Sequence, residues 1–169
     1  DSTGELITIS LTTNQDSTYD SDIAGATITV TDNTESTTLY TATWNGTPVD
    51  FEIPVPVNYT VSVSAVSNYQ TPASVTYSSR TGRSRNITFQ YNTEIVTVTV
   101  NTNVSGVTAE GQVVTINGVN TTVPASGVVT QKVPYGTSYS VSVNSKGSYN
   151  TPATQSFTAN SVSRSVTMT

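Results

Sequence analysis

The sequence predicts an all-β protein built as two tandem antiparallel β-sandwiches of about seven strands each, residues 1–92 and 93–169. Three observations predict it. The chain is written twice, because Pro54, Tyr59, Val61, Val63, Tyr69, Pro72 and Tyr77 recur 80 positions later as Pro134, Tyr139, Val141, Val143, Tyr149, Pro152 and Phe157. Threonine, serine, valine and asparagine dominate, a mix that suits pleated, half-buried sheets and gives little material for helices. Apolar and polar residues alternate along segment after segment, and no window carries a helical stripe. Open sheets would leave half of the valines in water, so two sheets packed face to face is the expected layering.

Taken in order, Leu6, Ile9 and Leu11 with Thr8, Ser10 and Thr12 between them open the first module as a strand, with Ile7 out of phase. Val96, Val98 and Val100 open the second, so that Glu5 matches Glu94. The first module carries a longer polar loop, Asn14 to Asp22. Ala26 to Thr31 and Gln112 to Asn117 are the second strand pair, with Ile28, Val30, Val114 and Ile116 inward. Leu39 to Trp44 is a strand closed by Asn45-Gly46, a hairpin signal, with a weaker counterpart around Thr121 to Val123. Val49 to Ile53 and Val128 to Val133 lead into the proline–tyrosine stretches. Short strands follow around Tyr77 and Phe157. The last pair runs Arg85 to Tyr91 and Arg164 to Met168, one residue having been dropped before Arg164. The join at Tyr91-Asn92-Thr93 leaves almost no linker, which implies a restrained arrangement.

Composition narrows the function. Charged residues are only 10% of the chain and the net charge is −5, which argues against nucleic acid as a partner. There is no cysteine and no histidine, so thiolate metal sites and the commonest general base are missing. No apolar run approaches the ~20 residues of a membrane span, and no signal peptide is present. The chain is expected to be part of a longer polypeptide.

The pattern Val-Pro-x-Gly-x-x-Tyr-x-Val-x-Val followed by Gly-x-Tyr-x-Thr-Pro, complete from Val133 to Pro152, resembles PEGA-like and carboxypeptidase-regulatory-like modules. These are bacterial Ig-like or transthyretin-like (prealbumin-like) sandwiches of surface and secreted proteins. The first module keeps Pro54, Tyr59, Tyr69 and Pro72, but has Val55-Pro56-Val57-Asn58 where Gly136 would lie, and Asn68 before Tyr69. The resemblance covers about half of each module and implies fold more than function, since such modules serve as spacers, adhesive parts and accessory domains.

Candidate site residues each carry two readings. Tyr59 and Tyr139, with Pro54, Pro134 and Gly136 at their turns, are structural corners whose hydroxyls reach a neighbouring backbone group, or ligand contacts. Trp44 is the core plug of the first module, or a flat platform for a sugar ring together with Tyr40 and Tyr69. Asp16, Asp20 and Asp22 form a solvated loop, or a weak Ca2+ site, although the D-x-[DN]-x-[DN]-G spacing is missing. No other cofactor is expected. Arg80, Arg83 and Arg85 flank a turn at Gly82, or meet an acidic partner. Catalytic residues are not found: there is no G-x-S-x-G elbow, and Asp50 and Glu52 share one strand face and build no cleft. Nothing in the spacing of Lys132 or Lys146 supports an isopeptide with an asparagine, and the five N-x-[ST] sequons are expected by chance.

The expected function is a non-enzymatic extracellular or cell-surface module pair, a structural spacer or adhesive part of a bacterial surface or virion assembly. It would be secreted, or anchored by a removed N-terminal segment. Its partners would be proteins or surface glycans. The alternative is a carbohydrate-binding accessory module.

Overall fold

The computed structural model describes residues 3–169 and divides into two compact units, Asp1–Asn92 and Thr93–Thr169. Each described unit is a two-sheet β-sandwich of seven strands. In the first unit β1 (Glu5–Thr13), β4 (Val49–Ile53) and β7 (Ser84–Tyr91) form one sheet in the order β4-β1-β7. The other sheet runs β3 (Thr37–Thr43), β2 (Thr27–Asp32), β5 (Asn58–Val63), β6 (Val75–Ser78). A 3-10 helix, Ser17–Ile23, follows β1. The second unit repeats the plan. Its strands β8 (Glu94–Val100), β11 (Val128–Val133) and β14 (Ser163–Met168) are ordered β11-β8-β14. Opposite them lie β10 (Val119–Thr122), β9 (Val113–Ile116), β12 (Ser138–Val143) and β13 (Gln155–Thr158), in that order.

The expected antiparallel pairing holds with one exception per unit. The first and last strands are parallel neighbours: β1 beside β7 from Leu6↔Ser84 to Thr13↔Tyr91, and β8 beside β14 from Ile95↔Ser163 to Val100↔Met168. Parallel partners need a crossover, which here is the whole remainder of the unit passing through the opposite sheet.

Alternation sets the core, with one correction. On β1 the inward residues are Glu5, Ile7, Ile9, Leu11 and Thr13, while Leu6 is 40% exposed. Ile7 is therefore in phase and Leu6 is the residue out of phase, because a glutamate holds the inward position at the strand's start. Ile28 and Val30 of β2 and Val114 and Ile116 of β9 are fully buried, and Val96 and Val98 close the second core. Each such side chain contributes about 1.5–3 kcal/mol over its exposed state, so a one-residue slip of register would be costly.

The Asn-Gly signal also needs correcting. Asn45-Gly46 does not close a hairpin, since β3 pairs with β2 while β4 pairs with β1 in the opposite sheet. The dipeptide turns the chain from sheet to sheet: Asn45 Oδ1 accepts from the Thr47 amide at 3.0 Å, and Gly46 has φ +96°. The hairpin with this chemistry is Asn117-Gly118, between β9 and β10, where φ is +50° and +77° and Ile116 faces Val119. Two consecutive positive φ values are what a two-residue hairpin requires. The polar loop expected over Asn14 to Asp22 contains the 3-10 helix, a short element that leaves no apolar period to read.

Candidate functional site

Each unit buries a carboxylate between its sheets. Glu5 and Glu94 are 0% exposed and stand at the first position of β1 and β8. A lone buried carboxylate is strongly destabilising, so partners must be found. In the first unit the Tyr59 hydroxyl, on β5 in the opposite sheet, donates to Glu5 Oε2 at 2.5 Å. Arg83 Nε lies 3.4 Å from Glu5 Oε1 and Arg85 Nε 3.8 Å from Oε2. In the second unit Tyr139 of β12 donates to Glu94 Oε2. Arg164 forks onto the same carboxylate, Nε to Oε2 at 3.2 Å and Nη2 to Oε1 at 3.3 Å, and the Ser161 amide donates to Oε1 at 3.1 Å.

An aromatic ring covers each cluster. The Arg85 guanidinium sits 3.8 Å from the centre of the Tyr77 ring, and Arg164 sits 4.6 Å from that of Phe157. Tyr77 and Phe157 also lie beside Tyr59 and Tyr139, with centroids 5.9 and 5.7 Å apart. Contacts of this kind favour a cation over a ring face and tilted ring pairs. Burial, followed by the hydrogen bond to the glutamate, pushes the Tyr59 and Tyr139 phenols well above their ordinary range. The hydrogen bond to Glu94 raises Arg164 further above its already high value. Both phenols therefore stay neutral donors at any physiological pH. With the carboxylates closed to solvent, the cluster ties strands together and offers no reacting atom.

The Tyr59 and Tyr139 hydroxyls, expected to reach a neighbouring backbone group, reach a glutamate on the facing sheet. Pro54 accepts from Ser79 Oγ at 2.7 Å, and that same Oγ accepts from the Val57 amide at 2.9 Å. Pro134 and Gly136 form a tighter turn: the Thr137 amide donates to Pro134 O at 3.2 Å, and Gly136 has φ +88°. Only a residue without Cβ adopts that φ readily.

Trp44 is 5% exposed within the first core. Tyr69 is 7% exposed, and its hydroxyl donates to Asp22 Oδ2 at 2.8 Å and accepts from Gln15 Nε2 at 3.3 Å. Burial, then the Asp22 bond, raises its phenol to about 12. Tyr40 is half-buried, stacked on Phe51 at 4.8 Å, with its hydroxyl donating to Glu52 O at 2.5 Å. In this arrangement Trp44 and Tyr69 present no open ring face, and the three do not form one platform. The loop aspartates turn to separate partners: Asp16 caps the 3-10 helix through the Thr18 amide, Asp20 accepts from Thr13 Oγ1 at 3.0 Å, and Asp22 holds Tyr69. Among the described residues no three acidic, histidine or cysteine side chains are grouped to hold a metal ion. Asp50 accepts from Thr8 Oγ1 at 2.6 Å on the sheet surface.

Sequence reasoning did not single out Glu5, Glu94 or Arg164. The signal was present, because Glu5/Glu94, Tyr59/Tyr139 and Arg85/Arg164 are all repeat matches, and a glutamate at an inward strand position calls for a cation.

Among the described residues no helix is long and apolar enough to cross a membrane. No family model and no curated protein matches the chain, so the PEGA-like resemblance rests on the Val133 to Pro152 pattern alone. Solved structures with a similar arrangement include the Bacillus anthracis TIE protein, at 16% identity and TM-score 0.43 over 99% of this chain and 33% of that one. This chain therefore spans about a third of that protein's length. Others are the shaft pilin SpaA of Lactobacillus rhamnosus GG, at 13% identity and TM-score 0.39 over 99% and 97% of the two chains, and a C-terminal fragment of the pilus adhesin SpaC of the same organism, at 12% identity and TM-score 0.45 over 92% and 82%. Likenesses this distant carry no inference about activity, which must come from the geometry of this chain.

Proposed function

We propose that the chain is a non-enzymatic structural spacer of an extracellular or cell-surface assembly, in which each sandwich resists tension applied through its two ends. The observation that carries this reading is the parallel pairing of the first and last strands of each unit, with a buried glutamate facing a partly exposed arginine at its start. Force entering at the N-terminus of β1 and leaving at the C-terminus of β7 draws two parallel neighbours past each other. All of their hydrogen bonds are then loaded together, whereas an antiparallel pair pulled from adjacent ends opens one bond at a time. The glutamate on β1 and Arg85 on β7 add a charge pair across that same seam, as Glu94 and Arg164 do across β8 and β14. The low charge and hydroxyl-rich strand faces suit a solvated module of this kind.

Single-molecule pulling tests the reading, and the absence of native cysteine makes the attachment clean. A Thr3→Cys/Asn92→Cys protein loads β1 and β7 in shear. A Thr3→Cys/Glu52→Cys protein unzips β1 from β4, whose pairing begins at Glu5↔Ile53. The first geometry is expected to need several times the force of the second, a difference governed by the forced-unfolding rate. Equal forces in the two geometries would remove the tension-bearing reading.

A further inference from the structure

The two sandwiches differ at one end, where the second unit has a cavity of about 430 Å³ with Ala109 in its lining. In the first unit, Gly25 N donates to Trp44 O at 2.9 Å and Trp44 N to Ala26 O at 2.8 Å. In the second, Gly111 N donates to Val123 O at 2.9 Å and Val123 N to Gln112 O at 2.8 Å. Val123 therefore stands where the first unit has Trp44. By the same register Ala109 stands for Ile23, since Gln112 N bonds Ala109 O as Ala26 N bonds Ile23 O. Two large plugs have become small. The 3-10 helix is missing as well, and with it the groups that hold Tyr69. Tyr149, the counterpart of Tyr69, is 46% exposed where Tyr69 is 7%.

Tyr149 lines the cavity together with Asn101, Asn144, Lys146 and Asn150, over an apolar floor at Ala109. The side chains of Asn101, Lys146, Tyr149 and Asn150 have no partner within the described residues. We infer that this cavity is a binding site for a neutral pyranose unit of a glycan. Its volume is that of a small-ligand site. An exposed tyrosine offers a flat apolar face with a polar tip, which suits the C–H face of a sugar ring. Amide side chains both donate and accept, so a cluster of them pairs with vicinal hydroxyls, which do the same. The lining side chains carry one lysine and no Asp or Glu.

The test is an amide-resolved NMR titration of the whole chain with chitotriose and with maltotriose, each to about 10 mM, a range that detects even millimolar affinity. Saturable shifts confined to Asn101, Asn144 and the Lys146 to Thr151 turn are expected with at least one sugar. Tyr149→Ala, at an exposed position that does not threaten the fold, should weaken binding about ten-fold or more. Absence of shifts with both sugars overturns the inference. So does binding that survives Tyr149→Ala, or saturation by a trialanine peptide when neither sugar binds.

Discussion

Glu5 and Glu94 occupy the same place in the two sandwiches, yet Glu94 is gripped and Glu5 is only approached. Arg164 meets Glu94 with two parallel N–H groups, and the Ser161 amide adds a third donor besides Tyr139. Glu5 has two arginines within ion-pair range, but its Oε1 and Arg85 Nε are buried without a hydrogen bond. The cause is one residue. From Ser79 to Arg85 the first unit has the turn Arg80-Thr81-Gly82-Arg83, whereas from Ala159 to Arg164 the second has only Asn160-Ser161-Val162. The shorter turn lays the Ser161 amide against the carboxylate and puts Val162 where Arg83 stands, since Leu6 N bonds Arg83 O as Ile95 N bonds Val162 O. A second arginine is therefore no substitute for a fork. Geometry decides how much a buried charge stabilises, because the desolvation is the same in both units.

The largest expected effect breaks the pair outright. Glu94→Gln should destabilise the second unit by about 3 kcal/mol, near the lower end for breaking a buried pair, because Arg164 keeps some solvent access. Glu5→Gln should destabilise the first unit by about half as much, since it strands fewer formed hydrogen bonds. Urea unfolding separates the units, because the single tryptophan, Trp44, reports only the first. Equal losses would mean that the fork at Glu94 adds nothing. Next come the phenols. Tyr139→Phe and Tyr59→Phe each remove a hydrogen bond to a buried carboxylate and should cost about 1.5–3 kcal/mol, similarly in both units.

Alkali acts on the same groups. Burial raises the phenols of Tyr59, Tyr69, Tyr91 and Tyr139, while those of the unfolded chain ionise near ~10. Above that pH the folded state holds protons that the unfolded state has released, so stability falls as pH rises. These tyrosines leave the urea midpoint level below about pH 10 and lower it from there through the folded-state values, Tyr69 at about 12 included. Tyr69→Phe should flatten part of that decline in the first unit.

Much of this comparison was written in the repeat. The strand phases other than the start of β1, the seven-strand count and the matches at Glu5, Tyr59 and Arg85 could be read from alternation and offset. Their meeting could not, because it depends on β1 lying parallel to β7, and sequence separation gives no sign of that crossover. Glu5 was hidden further by Leu6, whose apolar side chain points outward and drew the strand phase to itself. The match of Leu39 to Trp44 with the stretch around Thr121 to Val123 was legible, but not that Val123 itself takes the place of Trp44. The strands before them, β3 and β10, differ in length, seven residues against four, so the constant offset fails there.

The smallest effect sharpens the comparison most. Arg83 is 31% exposed and touches Glu5 Oε1 at 3.4 Å without a hydrogen bond. A partly solvated pair of this kind is worth about 0–1 kcal/mol. Arg83→Ala should therefore barely move the Trp44-detected transition, whereas Arg164→Ala removes the fork and should move the tryptophan-silent transition clearly. If Arg83→Ala costs as much as Arg164→Ala, the two arginines of the first unit share the work that one performs in the second. The difference between the units would then lie in the number of cations, and the shorter turn would lose its role as the cause.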